Sequence, residues 1–303
     1  MYPTIHLSAF FFTFPLTVAC VVQHVVAAKP GAVACPIALK NCGFTMARSG
    51  FEVQKAAVHA LFLRELKTRF GKYRLGYLWA LIEPSAHLLI LMFIFGFIRH
   101  RTMPDISFPI FLLNGIIPFF IFNKITIRSI GAIEANKGLF NYRPIKPIDT
   151  IISRAILESL IYALVYITLM IVVRFCGEEF EVNNIPTLVA TWVMLILFSC
   201  GVGLIFMVIG RTFPETEKFL PIIAKPLYFV SCIMFPLHAI PREYWSFFLW
   251  NPIVHVVELS RSSVVAGYHT EGVSLNYLAL FTLVTLFLGL ALYRTREDAM
   301  LTS

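Results

Sequence analysis

Residues 64–98 read RELKTRFGKYRLGYLWALIEPSAHLLILMFIFGFI. The first half crowds Arg64, Lys67, Arg69, Lys72 and Arg74 onto one amphipathic stretch. The second half, residues 78–98, is apolar and about 20 residues long, enough to cross a hydrocarbon core of about 30 Å as a helix. Cations abutting an apolar run mark the cytoplasmic face of a membrane, where anionic lipid and the positive-inside bias hold them. The chain therefore lies along the membrane over residues 46–77 and then turns in. Tyr73, Tyr77 and Trp79 stand among the cations at that turn. Glu83, Pro84 and His87 sit just inside the apolar run.

The rest of the chain agrees. It has 303 residues, is 58% hydrophobic and only 14% charged, against about 25% charge in an ordinary soluble domain. Its mean hydropathy is +0.78. The net charge of +8 gathers at the ends of apolar runs, which is the pattern of membrane topology and not of a phosphate-binding groove. Six spans are expected, at about residues 78–98, 108–127, 151–173, 185–209, 219–236 and 275–292. The loop over 128–154 carries Arg128, Lys137, Arg143, Lys146 and Arg154 and should be cytoplasmic. The tail holds Arg294 and Arg296. The loop over 174–184 is dominated by Glu178, Glu179 and Glu181 and should face outward. Arg99 and Arg101 mildly violate the rule. An even number of spans leaves both ends in the cytoplasm.

Two regions are not plain spans. Residues 238–272 hold an apolar stretch of about 14 residues, broken at Asn251-Pro252. Such a length suits a re-entrant or interfacial segment. Tyr244, Trp245 and Trp250 seek interfaces. Two short helices entering from the outer face and turning at Asn251-Pro252 are expected; an aromatic anchor loop is the plainer alternative. Residues 1–45 include an apolar segment ending Val26-Ala27-Ala28, which resembles a leader cleavage site but lacks a basic start. If cleaved, it would send the basic helix outside, against its charge. The expectation is a non-native extension before Met46, with an extra span as the alternative.

No phosphate-binding GxxxxGK[ST], HExxH, GxSxG or paired CxxC occurs. The chain is not read as an enzyme, a metal protein or an ATPase. Its six cysteines and eight histidines lack disulfide or metal spacing. Ionisable groups near the membrane are the remaining candidates. Glu83 and His87 share a helical face. Glu158 lies in the third span. Lys124 and Lys225 read as cations snorkelling from span ends. Glu83 reads equally as support for the Pro84 bend or as a substrate contact.

RFGKYRLGYLWALIEPSAHLLI, NGIIPFFIF, IEANKGLFNYRPIKPIDTIISR and CIMFPLHAIPREYWSFFLWNPIVHVVELSR together resemble ABC-2 type capsule-export permeases of Gram-negative bacteria. The likeness runs from Met46 to Ser303. It implies an all-α polytopic half-transporter of the inner membrane, with an N-terminal amphipathic interface helix, about six transmembrane helices and re-entrant helices before the last span. It implies a homodimer around one channel and a pair of KpsT-like ATPase subunits. A KpsE-like periplasmic adaptor and a KpsD-like outer-membrane exporter would complete the route. ATP and Mg would be used by the partner ATPase, with no cofactor on this chain. A coupling helix over about residues 133–147 would seat in the ATPase, with Glu134, Asn141, Tyr142, Arg143 and Lys146 as its contacts.

The resulting expectation is a permease moving lipid-linked anionic polysaccharide. Arg69, Lys72, Tyr73, Arg74, Tyr77, Trp79 and Glu83 would meet the substrate at the channel mouth. Tyr244, Trp245, Trp250, Asn251 and Pro252 would form an outer gate. An O-antigen or teichoic-acid exporter is the nearer alternative. A polytopic glycosyl- or acyltransferase is the alternative of another class, with His255 and Glu258 as its possible bases.

Overall fold

The basic stretch and the apolar run after it form two separate helices, α1 (Gly50–Phe70) and α2 (Gly76–Arg99). They belong to a computed structural model that describes residues 50–70, 76–99, 107–140, 145–178, 182–265, 267–268 and 270–301. The expected extension over 1–45 lies outside these residues. So do Lys72, Tyr73, Arg74, Arg101, Asn141, Tyr142, Arg143, Glu179 and Glu181.

Among the described residues, regular structure is helical throughout. After α2 come α3 (Phe108–Ile130), a short α4 (Ala132–Asn136), α5 (Pro147–Phe175) and α6 (Ile185–Thr212). These are followed by α7 (Thr216–Val230), α8 (Trp245–Leu249), α9 (Pro252–Val264) and α10 (Leu275–Leu301). Helix starts follow local chemistry. Pro147 opens α5, and Asp149 three residues after Lys146 accepts the Lys146 backbone N–H at 3.0 Å. Asn184 caps α6 by accepting the Thr187 N–H at 3.1 Å. Asn251 caps α9 by accepting the Ile253 N–H at 3.0 Å, with Pro252 next.

Among the described residues, five helices, α2, α3, α5, α6 and α10, are long and apolar enough to cross a membrane. Helix α3 is the axis: 78% of its apolar window is buried, against 17% for α2 and for α10. It packs against α2, α5, α6, α7 and α9. Helix α6 is pressed between α3 and α10 by missing side chains. A Cβ on Gly201 would lie 2.8 Å from the Leu286 nitrogen, and one on Gly289 would lie 2.7 Å from the Gly201 carbonyl oxygen. Gly203 meets Ser129 of α3 just as closely. Small residues let helix backbones approach where lipid supplies no hydrophobic drive. Helix α1 lays Ala57 and Leu61, four apart on one face, against the bundle, where both are buried, and it packs chiefly on α5.

The fifth expected span, 219–236, is not one continuous helix. Helix α7 has 15 residues, about 22 Å at 1.5 Å per residue, so the irregular segment after it must complete any 30 Å crossing. Pro221 and Pro226 interrupt its hydrogen bonding. The helix ends at Val230, and Cys232 adopts φ 56, a left-handed conformation unfavourable for a side-chain-bearing residue. The last expected span also runs further than its apolar stretch, through the charged tail to Leu301.

Candidate functional site

Polar side chains cluster at three levels of the bundle. The first joins α1, α3 and α5. Arg69 at the end of α1 reaches Glu158 of α5 at 2.5 Å. Arg128 of α3 reaches the same carboxylate oxygen at 3.1 Å. Glu158 is only 1% exposed, so two cations offset the cost of burying it. Beside it, Arg154 donates to Glu65 of α1 at 2.8 Å and also to the Arg128 carbonyl. The expected substrate contact Arg69 is thus engaged with the protein itself.

The same end holds the segment expected to couple. It is not one helix over 133–147. Helix α4 covers five residues and is followed by a 3₁₀ turn, Lys137–Leu139. Arg64 of α1 donates to the Ala135 carbonyl at 2.9 Å and to the Asn136 side chain. Glu134 pairs with Arg211 at the end of α6. Lys146, where the segment leaves, pairs with Glu297 of α10 at 3.3 Å. A short, half-buried segment is therefore tied to α1, α6 and α10. Displacing it would pull on all three.

The second cluster lies along α2, α3 and α7. Glu83 accepts from Lys124 at 2.6 Å. Lys124 therefore meets a carboxylate, a different arrangement from the lone snorkelling expected of it. Four residues on, His87 Nε2 lies 2.8 Å from the Tyr228 hydroxyl. Glu83 is exposed, Lys124 partly so, and Lys225 of α7 is exposed. Charged groups in apolar helices face water or protein and not lipid. Trp79 is also exposed. The Tyr77 side chain lies outside the described residues.

The third cluster supports the helical elbow. Helices α8 and α9 join at Asn251-Pro252, as the sequence suggests, although α8 has only five residues. Asn251 also donates to Ser231 Oγ at 3.1 Å, fixing the elbow to the end of α7. Tyr244 and Trp250 are exposed, and Trp245 donates its indole N–H to the Ile240 carbonyl at 2.9 Å. Beneath them Arg261 is fully buried. It donates to the carbonyls of Cys232 (2.8 Å), Ile233 (2.7 Å) and Phe111 (3.3 Å), and to Glu258 at 2.9 Å. Its guanidinium carbon lies 3.5 Å from the centre of the Phe111 ring. Glu258 also accepts from the Tyr268 hydroxyl at 2.8 Å. Burial pushes the Tyr268 phenol above its ordinary value and keeps it a donor. Carbonyls freed where α7 stops early are thus satisfied inside the protein, as irregular backbone at membrane depth requires.

The two possible transferase bases are both engaged. Glu258 is held by Arg261. His255 sits between the Leu249 carbonyl, 2.8 Å from Nε2, and the Ser274 N–H, which donates to Nδ1 at 3.1 Å. Sequence reading missed Arg261, although Glu258 and Arg261 stand three apart, a spacing at which helical side chains meet. It placed Glu158 in a span without its partners.

Residues 56–265 match the family described as ABC-2 type transporter. The chain is 74% identical over 258 residues to the polysialic acid transport protein KpsM of Escherichia coli, covering 85% of this chain and 100% of that protein. It is 28% identical over 243 residues to the capsule polysaccharide export inner-membrane protein CtrC of Neisseria meningitidis, covering 79% and 90%. It is 23% identical over 238 residues to the O-antigen export system permease protein RfbA of Klebsiella pneumoniae, covering 76% and 88%.

Proposed function

The chain belongs to the ABC-2 type transporter family, and from that premise we propose that it is the permease through which a capsular polysaccharide leaves the cell. It is a multi-pass inner-membrane permease subunit and not an enzyme. The observation that carries the substrate class is the match along the whole length of a polysialic acid transport protein at 74% identity, three times the identity to the O-antigen permease. The O-antigen and teichoic-acid alternatives recede accordingly.

In this reading two copies of the chain form the path, with both ends of each in the cytoplasm. A KpsT-like ATPase pair supplies the work with ATP and Mg. A KpsE-like adaptor and a KpsD-like exporter continue the route. Residues 132–146 receive the stroke, since Arg64, Arg211 and Glu297 link that segment to three helices. Asn141, Tyr142 and Arg143 extend the contact into the ATPase. The basic residues Lys72 and Arg74 with Tyr73 and Tyr77 gather the anionic lipid-linked chain, and Glu83 with Lys124 lines its way. Charge-assisted contacts to phosphate or carboxylate are worth about 1.5–3 kcal/mol each, so losing both cations should weaken capture by about a hundredfold or more.

The test is complementation. A capsule-forming strain lacking its own permease, given this chain, should again carry capsule on its surface. Polysaccharide retained inside, with the chain correctly inserted, would overturn the reading. Arg143→Glu in the same strain should insert normally yet abolish surface capsule.

A further inference from the structure

A cavity of about 360 Å³ opens at the elbow, lined by His238, Arg242, Trp245, Glu258 and Glu271 among others. Ligand pockets begin at about 300 Å³. Its contents are unlike those of the apolar helices around it. Trp245 forms one wall, its indole fixed by the Ile240 carbonyl. The guanidinium of Arg242 lies 5.5 Å from the centre of that ring and pairs with Glu271 at 2.7 Å. Both members of the pair are exposed, 79% and 61%, so their attraction is weak and water competes for it. His238 stacks edge-on against Tyr268. The floor is Glu258, whose charge is already matched by Arg261.

We infer that this cavity is a subsite for an acidic sugar unit of the exported chain, in which Arg242 exchanges Glu271 for the sugar carboxylate while the sugar ring lies along Trp245. The inference rests on the export reading for where the sugar comes from. Three features select the ligand. An indole wall suits the C–H face of a pyranose, which is apolar and flat. Polar groups around it suit hydroxyls. A cation whose partner is solvent-exposed suits a carboxylate, because a planar guanidinium binds carboxylates in a fork. A neutral sugar would use the wall but leave the Arg242–Glu271 pair intact. A wholly apolar ligand would strand the polar lining. Because the pair is exposed, the exchange costs little, and a chain passing through can be released again.

The pair makes the test sharp, since removing either half should act in opposite senses. The full chain, purified with its ATPase, is titrated with a short sialic acid oligomer and, separately, with maltotetraose, and binding is read by saturation-transfer NMR. Arg242→Ala should weaken binding of the acidic oligomer about tenfold. Glu271→Ala frees the guanidinium and should tighten it severalfold. Neither should change maltotetraose binding appreciably. Both residues are exposed, so both variants should fold, which a thermal melt checks. Equal binding by both variants, or changes of the same sign, overturns the subsite. So does loss of a co-purifying periplasmic protein with oligomer binding unchanged, which would make the surface a protein-docking one. Surface capsule made by the unmodified chain is scored in parallel. If that chain exports but the variants bind alike, the subsite fails and the export reading stands. If it does not export but the opposite-sign effects appear, the acidic-sugar site stands and the export reading fails.

Discussion

Two carboxylates a hundred residues apart, Glu158 and Glu258, are each 1% exposed and each answered by arginine, yet they are built differently. Glu158 draws Arg69 and Arg128 from two other helices. Both cations share one of its oxygens, and the other, Oε2, is buried with no hydrogen-bond partner among the described residues. Arg128 is 36% exposed. Glu258 takes its arginine from its own helix, one turn on, and both its oxygens are used. Arg261 is 0% exposed and places three further donors on backbone carbonyls. A fully satisfied polar network rigidifies its surroundings, and a partly satisfied one does not. The Glu258 network is a lock on the elbow. The Glu158 network is a joint between α1 and the bundle.

The largest effect should follow from opening the lock. Arg261→Leu strands Glu258 and three carbonyls. Removing one member of a buried pair costs about 3–5 kcal/mol. The purified variant should melt well below the parent or fail to accumulate in membranes. Adding Glu258→Leu should recover part of the loss by removing the stranded charge, but not all, because the Cys232 and Ile233 carbonyls stay unsatisfied. A single variant that accumulates and melts like the parent would break the distinction drawn here.

The joint should respond less in stability and more in work. Glu158→Gln keeps a hydrogen-bonding group, and of its two cations Arg128 already reaches solvent, so a cost of about 1–3 kcal/mol is expected. Membrane levels should stay near those of the parent. Surface capsule should fall sharply, because α1 no longer moves with α5. A melting loss equal to that of Arg261→Leu would mean that Glu158 is a second lock.

The sequence made the two regions legible to different degrees, for physical reasons. Apolar runs announce α2, α3, α5, α6 and α10, since a span must be continuous. The elbow turn is announced by Asn251-Pro252, because a cap and a proline at the first helical position act locally. The early end of α7 is not. Pro221 and Pro226 hint at it, but the stop is tolerable only because Arg261, 29 residues from Cys232, supplies the missing donors. The Arg69–Glu158 pair spans 89 residues, and no local pattern connects its members. The same holds for Lys124, whose partner Glu83 lies 41 residues away. Contacts made across the bundle escaped the reading, and contacts made along a helix were within its reach.

The smallest effect on stability should come from Glu134 and Arg211, and it separates holding from transmitting. Their contact ties the short helix α4 to the end of α6, with the Glu134 side chain 62% exposed. An exposed pair of this kind is worth about 0.2–1 kcal/mol and is screened by salt. Glu134→Ala and Arg211→Ala should therefore shift the melting temperature little, singly or together. If the pair only decorates the surface, each change should also leave polysaccharide-stimulated ATP hydrolysis of the reconstituted complex untouched. If it carries the stroke, either change should uncouple hydrolysis from export. The double variant should then be no worse than either single one, since one connection cannot be cut twice. The charge-swapped chain, Glu134→Arg with Arg211→Glu, then decides between pairing and position. Restored coupling assigns the role to the ion pair, whereas continued uncoupling with unchanged stability means that Glu134 or Arg211 contacts the ATPase directly.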